Sequence, residues 1–327
     1  MKRNTTYTAL LAGAASLLLA ATACSSEGGR EEAADGDVET PELTIAMITH
    51  EVPGDTFWDI IRSGAEDAAA KDNINLEYAS DPEAGQQASL IQNAIDREVD
   101  GIAITLSKPD ALEGAISDAQ AAGIPVVAFN AGIEDWVDLG VQQYFGTDEH
   151  LAGTAFGERL NDVGVQKALC VIQEQGHVAL ETRCSSLGDA FEGESEVLYV
   201  DSANMPEVRS SIAAKLQEDE EIEYVVTLGA PIAMTAIDAI DDSGSDATVA
   251  TFDTNAELVG AIQEGLVQWA VDQQPYLQGY LAVDSLWLYN TNGNIAGGGT
   301  EPVLTGPAFV DESNIDAVAE YAERGTR

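Results

Sequence analysis

Two polar residues, Asn130 and Asp253, end apolar stretches that echo one another. Val126-Val127-Ala128-Phe129-Asn130 is matched by Val249-Ala250-Thr251-Phe252-Asp253, and Ile104-Thr105-Leu106-Ser107-Lys108-Pro109 by Val226-Thr227-Leu228-Gly229-Ala230-Pro231. The offsets are 123 and 122 residues, so both echoes share nearly one register. A neutral amide donates and accepts, while a carboxylate accepts from two adjacent hydroxyls. One such group from each half of the chain is what recognition of a hydroxylated solute requires. Taken singly, each residue is as readily a helix cap; the matched pair favours ligand contact. Catalytic patterns are missing: there is no H-E-x-x-H, G-x-S-x-G, Walker loop or G-x-G-x-x-G. The three histidines are His50, His150 and His177, and acid–base chemistry would rest on carboxylates such as Asp55 and Asp253, with no nucleophile or metal set beside them. The chain therefore reads as a binding protein, not an enzyme, with no cofactor and no metal implied.

The elements that position these residues follow from hydrophobic period. Short apolar runs read as buried strands: Leu43–Thr49, Gly101–Leu106, Pro125–Phe129, Ala168–Ile172, Tyr224–Leu228 and Thr248–Phe252. Between them lie helical stretches such as Phe57–Lys71, Ala84–Arg97, Ala111–Ala122 and Val208–Gln217. Strand–helix alternation on this scale predicts an α/β protein whose parallel sheets are covered on both faces. The two echoes predict two lobes of one topology. In open α/β sheets, ligands bind beyond the carboxyl ends of the strands, where Asn130 and Asp253 stand.

The start of the chain is of another kind. Lys2 and Arg3 precede an apolar run from Ala9 to Ala21, followed by Ala21-Thr22-Ala23-Cys24. This reads as a secretory signal, residues 1–23, with Cys24 at the lipidation position of a bacterial lipobox; the alternative is ordinary cleavage after Ala23. Residues 24–42 are acidic and glycine-rich, unable to bury enough surface to order themselves, and read as a tether of at most about 60 Å. The remaining length suggests two domains. A net charge of −43, from 57 acidic and 14 basic residues, argues against nucleic-acid partners. With Cys24 lipidated, Cys170 and Cys184 remain, and an exported compartment permits a bridge between them; the alternative is two buried thiols.

From about Leu43 onward the sequence resembles the periplasmic sugar-binding proteins of the ribose-binding type. The resemblance rests on T-I-A-M-I-T followed by P-G-D-T-F-W-D-I-I-R-S-G-A, on A-A-G-I-P-V-V-A-F-N, on V-A-T-F-D and on D-Q-Q-P-Y-L-Q-G. It implies a type I periplasmic binding protein: two Rossmann-like lobes joined by a three-segment hinge, with crossings near Tyr144–Thr147, Gln273–Tyr276 and Val303–Gly306. The lobes would be residues 43–145 plus 275–304 and residues 146–274 plus 305–327. By the same resemblance Phe57 and Trp58 stack on the solute ring, with Asp55 as a hydroxyl partner. Asn130 falls where the family has an aspartate followed by arginine; Asn130-Ala131 here leaves that charge pair missing. Arg183, Asp253 and Gln273 match the family's polar contacts, Gly229 stands near a position that is usually asparagine, and Met205 lies near another aromatic. His50 ends the first strand and faces the same mouth. The implied role is an extracytoplasmic receptor, lipid-anchored and monomeric, that binds a monosaccharide or related polyol and presents it to the permease of an ABC importer. The departures at Asn130 and Gly229 keep a nucleoside or a furanose-like signal molecule open as alternatives, and service to a chemosensory receptor is another.

Overall fold

The apolar runs become the central strands of two sheets in the computed structural model, which describes residues 40–327. The signal, Cys24 and most of the tether lie outside the described residues. The first half of the chain runs β1 (Leu43–Thr49), α1 (Thr56–Asp72), β2 (Ile74–Ser80), α2 (Ala84–Asp96), β3 (Gly101–Ile104), α3 (Pro109–Ala121), β4 (Val126–Phe129) and β5 (Tyr144–Thr147). The second half repeats the plan with α4 (Glu149–Val163), β6 (Lys167–Ile172), α5 (Val178–Ala190), β7 (Glu194–Tyr199), α6 (Met205–Glu218), β8 (Tyr224–Thr227), α7 (Ala230–Ser243), β9 (Thr248–Phe252), α8 (Ala256–Gln263) and β10 (Val267–Asp272). The chain closes with α9 (Pro275–Asn292), β11 (Val303–Gly306), β12 (Ala308–Asp311) and α10 (Asp316–Glu323).

One sheet has the order β11-β5-β4-β3-β1-β2 and the other β12-β10-β9-β8-β6-β7. The two orders are the same topology, as the sequence echoes predict, with β3 and β8, and β4 and β9, as counterparts. All neighbours are parallel except β10 and β12. That exception has a simple cause. β11 leads into β12 through one residue, and so short a link leaves no room for the crossover that a parallel entry needs.

Alternate residues along each strand serve opposite faces, which is why the central strands are apolar throughout. In the first sheet Ile45, Met47, Ala103, Val127 and Phe129 pack with α1 and α9 through Ile61, Ala65, Val283 and Leu286. Ala46, Ile48, Ile102, Ile104 and Val126 pack on the other face with Ile91, Leu112 and Ile116 of α2 and α3. In the second sheet Ala168, Cys170, Ile172 and Phe252 face Phe156 and Leu187 of α4 and α5, while Leu169, Val171, Val225 and Val249 face the α6–α8 side. Cys170 and Cys184 form a disulfide that fastens α5 to β6.

The chain passes between sheets three times: after Thr147 into α4, which packs on α5; after Asp272 into α9, which packs on α1; and at Pro307 between β11 and β12. The segments Tyr144–Thr147 and Val303–Gly306 are themselves strands of the first sheet, and the links follow them. Both sheets belong to one contiguous body, residues 40–327. No helix of the described residues is long and apolar enough to cross a membrane.

Candidate functional site

Asn130 and Asp253 do more than end their strands. Each has a left-handed backbone, with φ of 67° and 66°, a conformation uncommon for residues with a side chain. Each N–H still completes the sheet, Asn130 donating to the Phe145 carbonyl and Asp253 to that of Val271, both at 2.9 Å. The matched turn aims both side chains into one cavity between the sheets. Neither residue caps a helix there: Asn255 caps α8, and no helix follows Asn130 before β5.

With the lobes in this arrangement the cavity offers about 60 Å³ to water-sized molecules. His50, Asp55, Phe57, Trp58 and Asn130 line it from the first lobe, and Arg183, Gly229, Asp253 and Gln273 from the second, so nine of the sequence-predicted residues meet there. Met205, the tenth, opens α6 and lines a neighbouring recess with Val52, Pro53, Pro206 and Ile232 instead. Trp58 and Phe57 are both buried and meet edge to face, with centroids 5.3 Å apart and planes at 88°. Asp55 both lines the cavity and caps α1, accepting from the Phe57 N–H at 3.1 Å. A Cβ at Gly229 would lie 3.3 Å from Gln173 Nε2, so the room left by the missing asparagine is bounded by Gln173.

Sequence reasoning overlooked a connected set of polar residues around this cavity. Arg183 is only 3% exposed and pairs with Glu149 at the start of α4, a buried pair rather than a surface one. Its Nη2 donates to Glu149 Oε1 at 2.9 Å and to Gln273 Oε1 at 3.2 Å. Gln273 Nε2 donates to Asp253 Oδ1 at 2.6 Å. Gln278 Nε2 donates to the Gln273 carbonyl at 3.0 Å and to Thr305 Oγ1 at 3.1 Å, while its Oε1 accepts from Asn130 Nδ2 at 3.3 Å. One network thus joins both halves of the cavity to residues beside all three inter-lobe links. Glu149 and Thr305 carry no signal in the sequence because each lies far from its partners along the chain, 34 residues from Arg183 and 27 from Gln278.

Burial sets the electrostatics. It pushes the Asp253 carboxyl up to about 7, against the opposing pull of Arg183, and Asp55 up to about 6. Glu149 is raised by the same cause, which the Arg183 guanidinium counters. His50 is lowered to about 3 by burial and by Lys108, and His177 is lowered well below its ordinary value, first by burial and then by His50 and Arg183.

His177 reaches the cavity from the second lobe, and its Nε2 lies 2.9 Å from His50 Nε2. His50, Glu174 and His177 each offer a ligand atom within 4.8 Å of the others. Lys108 Nζ, however, sits 2.9 Å from Glu174, and the imidazole nitrogens face each other at hydrogen-bonding distance. These side chains are engaged with one another rather than arranged around a cation.

The fold and this inter-lobe cavity define a solute-binding protein of the clamshell kind, and the chain belongs to the family described as periplasmic binding protein domain, which matches residues 45–294. Among solved structures, a carbohydrate transporter from Acidothermus cellulolyticus in complex with myo-inositol is 58% identical, with a TM-score of 0.87 over 88% of this chain and all of that one. A xylose/arabinose-binding protein of Sulfolobus acidocaldarius is 24% identical over 85% of this chain and 73% of its own. A ribose import binding protein of Bacillus subtilis is 24% identical over 81% of this chain and 87% of its own.

Proposed function

We propose that this chain is the extracytoplasmic solute receptor of an ABC importer, tethered by lipid at Cys24, and that its solute is a cyclitol or a closely related monosaccharide, with myo-inositol foremost. The lobes are divided by sheet membership, residues 43–147 plus 275–306 against 148–274 plus 307–327. The observation that carries the reading is the ring of polar groups offered from both lobes to one cavity: Asp55 and Asn130 from one side, Arg183, Asp253 and Gln273 from the other. An inositol bears a hydroxyl on every ring carbon, so donors and acceptors are needed all round its edge. The faces of its ring are C–H and suit Trp58 and Phe57. The 58% identity to a protein that holds myo-inositol supports the same choice.

Isothermal titration of the protein with myo-inositol, ribose, xylose and a nucleoside tests the reading. Saturable binding of myo-inositol, weakened in Trp58→Ala, is the expected result. Binding of a pentose in its place keeps the receptor and replaces the solute; binding of the nucleoside alone overturns the hydroxyl-ring argument.

A further inference from the structure

Four polar contacts bridge the lobes outside the hinge. The Val178 N–H donates to the Ser107 carbonyl at 3.0 Å and Asn255 Nδ2 to Thr56 Oγ1 at 3.1 Å. Lys108 pairs with Glu174 at 2.9 Å, and His50 Nε2 faces His177 Nε2 at 2.9 Å. Only the last depends on a group whose ordinary pKa lies near neutrality. We propose that His50 and His177 form a proton-sensitive latch, so that closure of the lobes, and with it the solute affinity described above, weakens as the medium acidifies.

The geometry makes the argument. At most one hydrogen fits between two nitrogens at this separation, so at least one of the two Nε2 atoms must be unprotonated when the lobes are closed. His50 has no freedom to turn away. Its Nδ1 lies 2.7 Å from Thr105 Oγ1, and its ring meets the Trp58 ring edge-on at 4.8 Å. The opposing ring meets it with centroids 4.6 Å apart and planes at 76°, and its Nδ1 is buried without a hydrogen-bond partner. The charged groups around the pair do not welcome a second proton. Lys108 and Arg183 are cations that act on His177, and Lys108 acts on His50 as well. Glu174 is the nearby anion, already paired with Lys108, and Glu149 is paired with Arg183. When the lobes part, both rings meet water and titrate near the ordinary histidine value. Closing at acid pH must then expel at least one proton from the pair, and linkage turns that into lost affinity.

Two other cavity groups act in the opposite sense. Asp55 and Asp253 are raised by burial, so acid favours the buried, closed state for them. A variant that removes the pair without touching those carboxylates separates the two effects. The probe is myo-inositol, titrated by calorimetry from about pH 7.5 to about pH 5 against wild type and His177→Gln. The wild-type affinity is expected to fall by roughly tenfold or more. In His177→Gln the fall shrinks, because the glutamine Oε1 can accept from His50 Nε2 and closing no longer forces a proton from the pair. An equal fall in both proteins, or a flat wild-type profile, overturns the latch. If myo-inositol binds at no pH, the proposed solute fails, and the latch is read instead from the radius of gyration of the solute-free protein by X-ray scattering. Wild type is then expected to expand between about pH 7.5 and about pH 5 and His177→Gln is not; no expansion of wild type, or equal expansion of both, overturns it.

Discussion

At the scale of residues, the cavity is a place where stability is given up for recognition. Asp253 sits at 5% exposure with its carboxyl raised to about 7 by burial. An acid raised on folding binds protons more readily in the native state. Its ionisation therefore costs stability above about pH 7, and the cost is relieved as pH falls through that value toward the ordinary carboxylate range. Asp253→Asn keeps an oxygen for Gln273 Nε2 and removes the charge. It is expected to raise the melting temperature of the solute-free protein at about pH 8, with the gain shrinking as pH falls and vanishing only near about pH 4. The same variant should bind solute more weakly by about 1–3 kcal/mol, since one partner of a solute hydroxyl is degraded. Differential scanning calorimetry and titration on one preparation check both. Loss of stability together with loss of binding would show that Asp253 is a structural residue.

At the scale of elements, the sequence announced what repeats locally and hid what depends on packing at a distance. The central strands were legible because both their faces are covered, leaving continuous apolar runs. Strands β2 and β7 went unread because they are sheet edges: Ile74–Ser80 and Glu194–Tyr199 are only half buried, and polar residues interrupt them. Strand β5 is Tyr144-Phe145-Gly146-Thr147, with only two apolar side chains, and β10 carries exposed Gln268 as its second residue, so neither gives a long unbroken apolar run. The same logic divides the site. Asn130 and Asp253 were found through the echo, whereas His177 became visible only when the second lobe faced the first, and Gln173 and Glu149 only through packing within the second lobe. Helix contacts were equally hidden. Gly64 on α1 and Gly279 on α9 let two helix backbones touch: a Cβ at Gly279 would come 2.0 Å from the Ile61 carbonyl oxygen, and one at Gly64 equally close to that of Tyr276. No side chain can yield there, since the obstacle is backbone. Gly279→Ala is expected to part α1 from α9 and destabilise the protein by about 1–3 kcal/mol, in the manner of an overpacked core. Gly114→Ala, with nothing within 4 Å of the added carbon, is the control and should be neutral or slightly stabilising. Chemical denaturation compares them; equal stability of the two variants would sink the close-packing account.

At the scale of the molecule, closure brings together two bodies that carry the same sign of charge. The chain has 57 acidic and 14 basic residues, a net of −43, and a field of that size opposes compaction. The few cations are placed where they offset it most. Lys108 joins the lobes at Glu174, Arg183 lies beneath the cavity with Glu149, and Lys167 gathers Glu194, Glu196 and Asp219 at the far end of the second sheet. Other acids pair with cations such as Arg62, Lys71 and Arg209, but 57 acids against 14 bases leave a surplus whose mutual repulsion is felt across about 10 Å at 0.1 M salt and far less at higher concentrations. Added sodium chloride should therefore stabilise this protein. Raising it from about 0.05 M to about 0.5 M is expected to increase the melting temperature and to tighten a neutral solute slightly, because closing the lobes brings like charges nearer. Both effects should saturate as screening completes, and potassium chloride should act alike, since screening does not distinguish the two cations. A melting temperature that falls with salt would mean that the ion pairs at Lys108, Arg183 and Lys167 outweigh the repulsion, and that charge stabilises this fold rather than straining it.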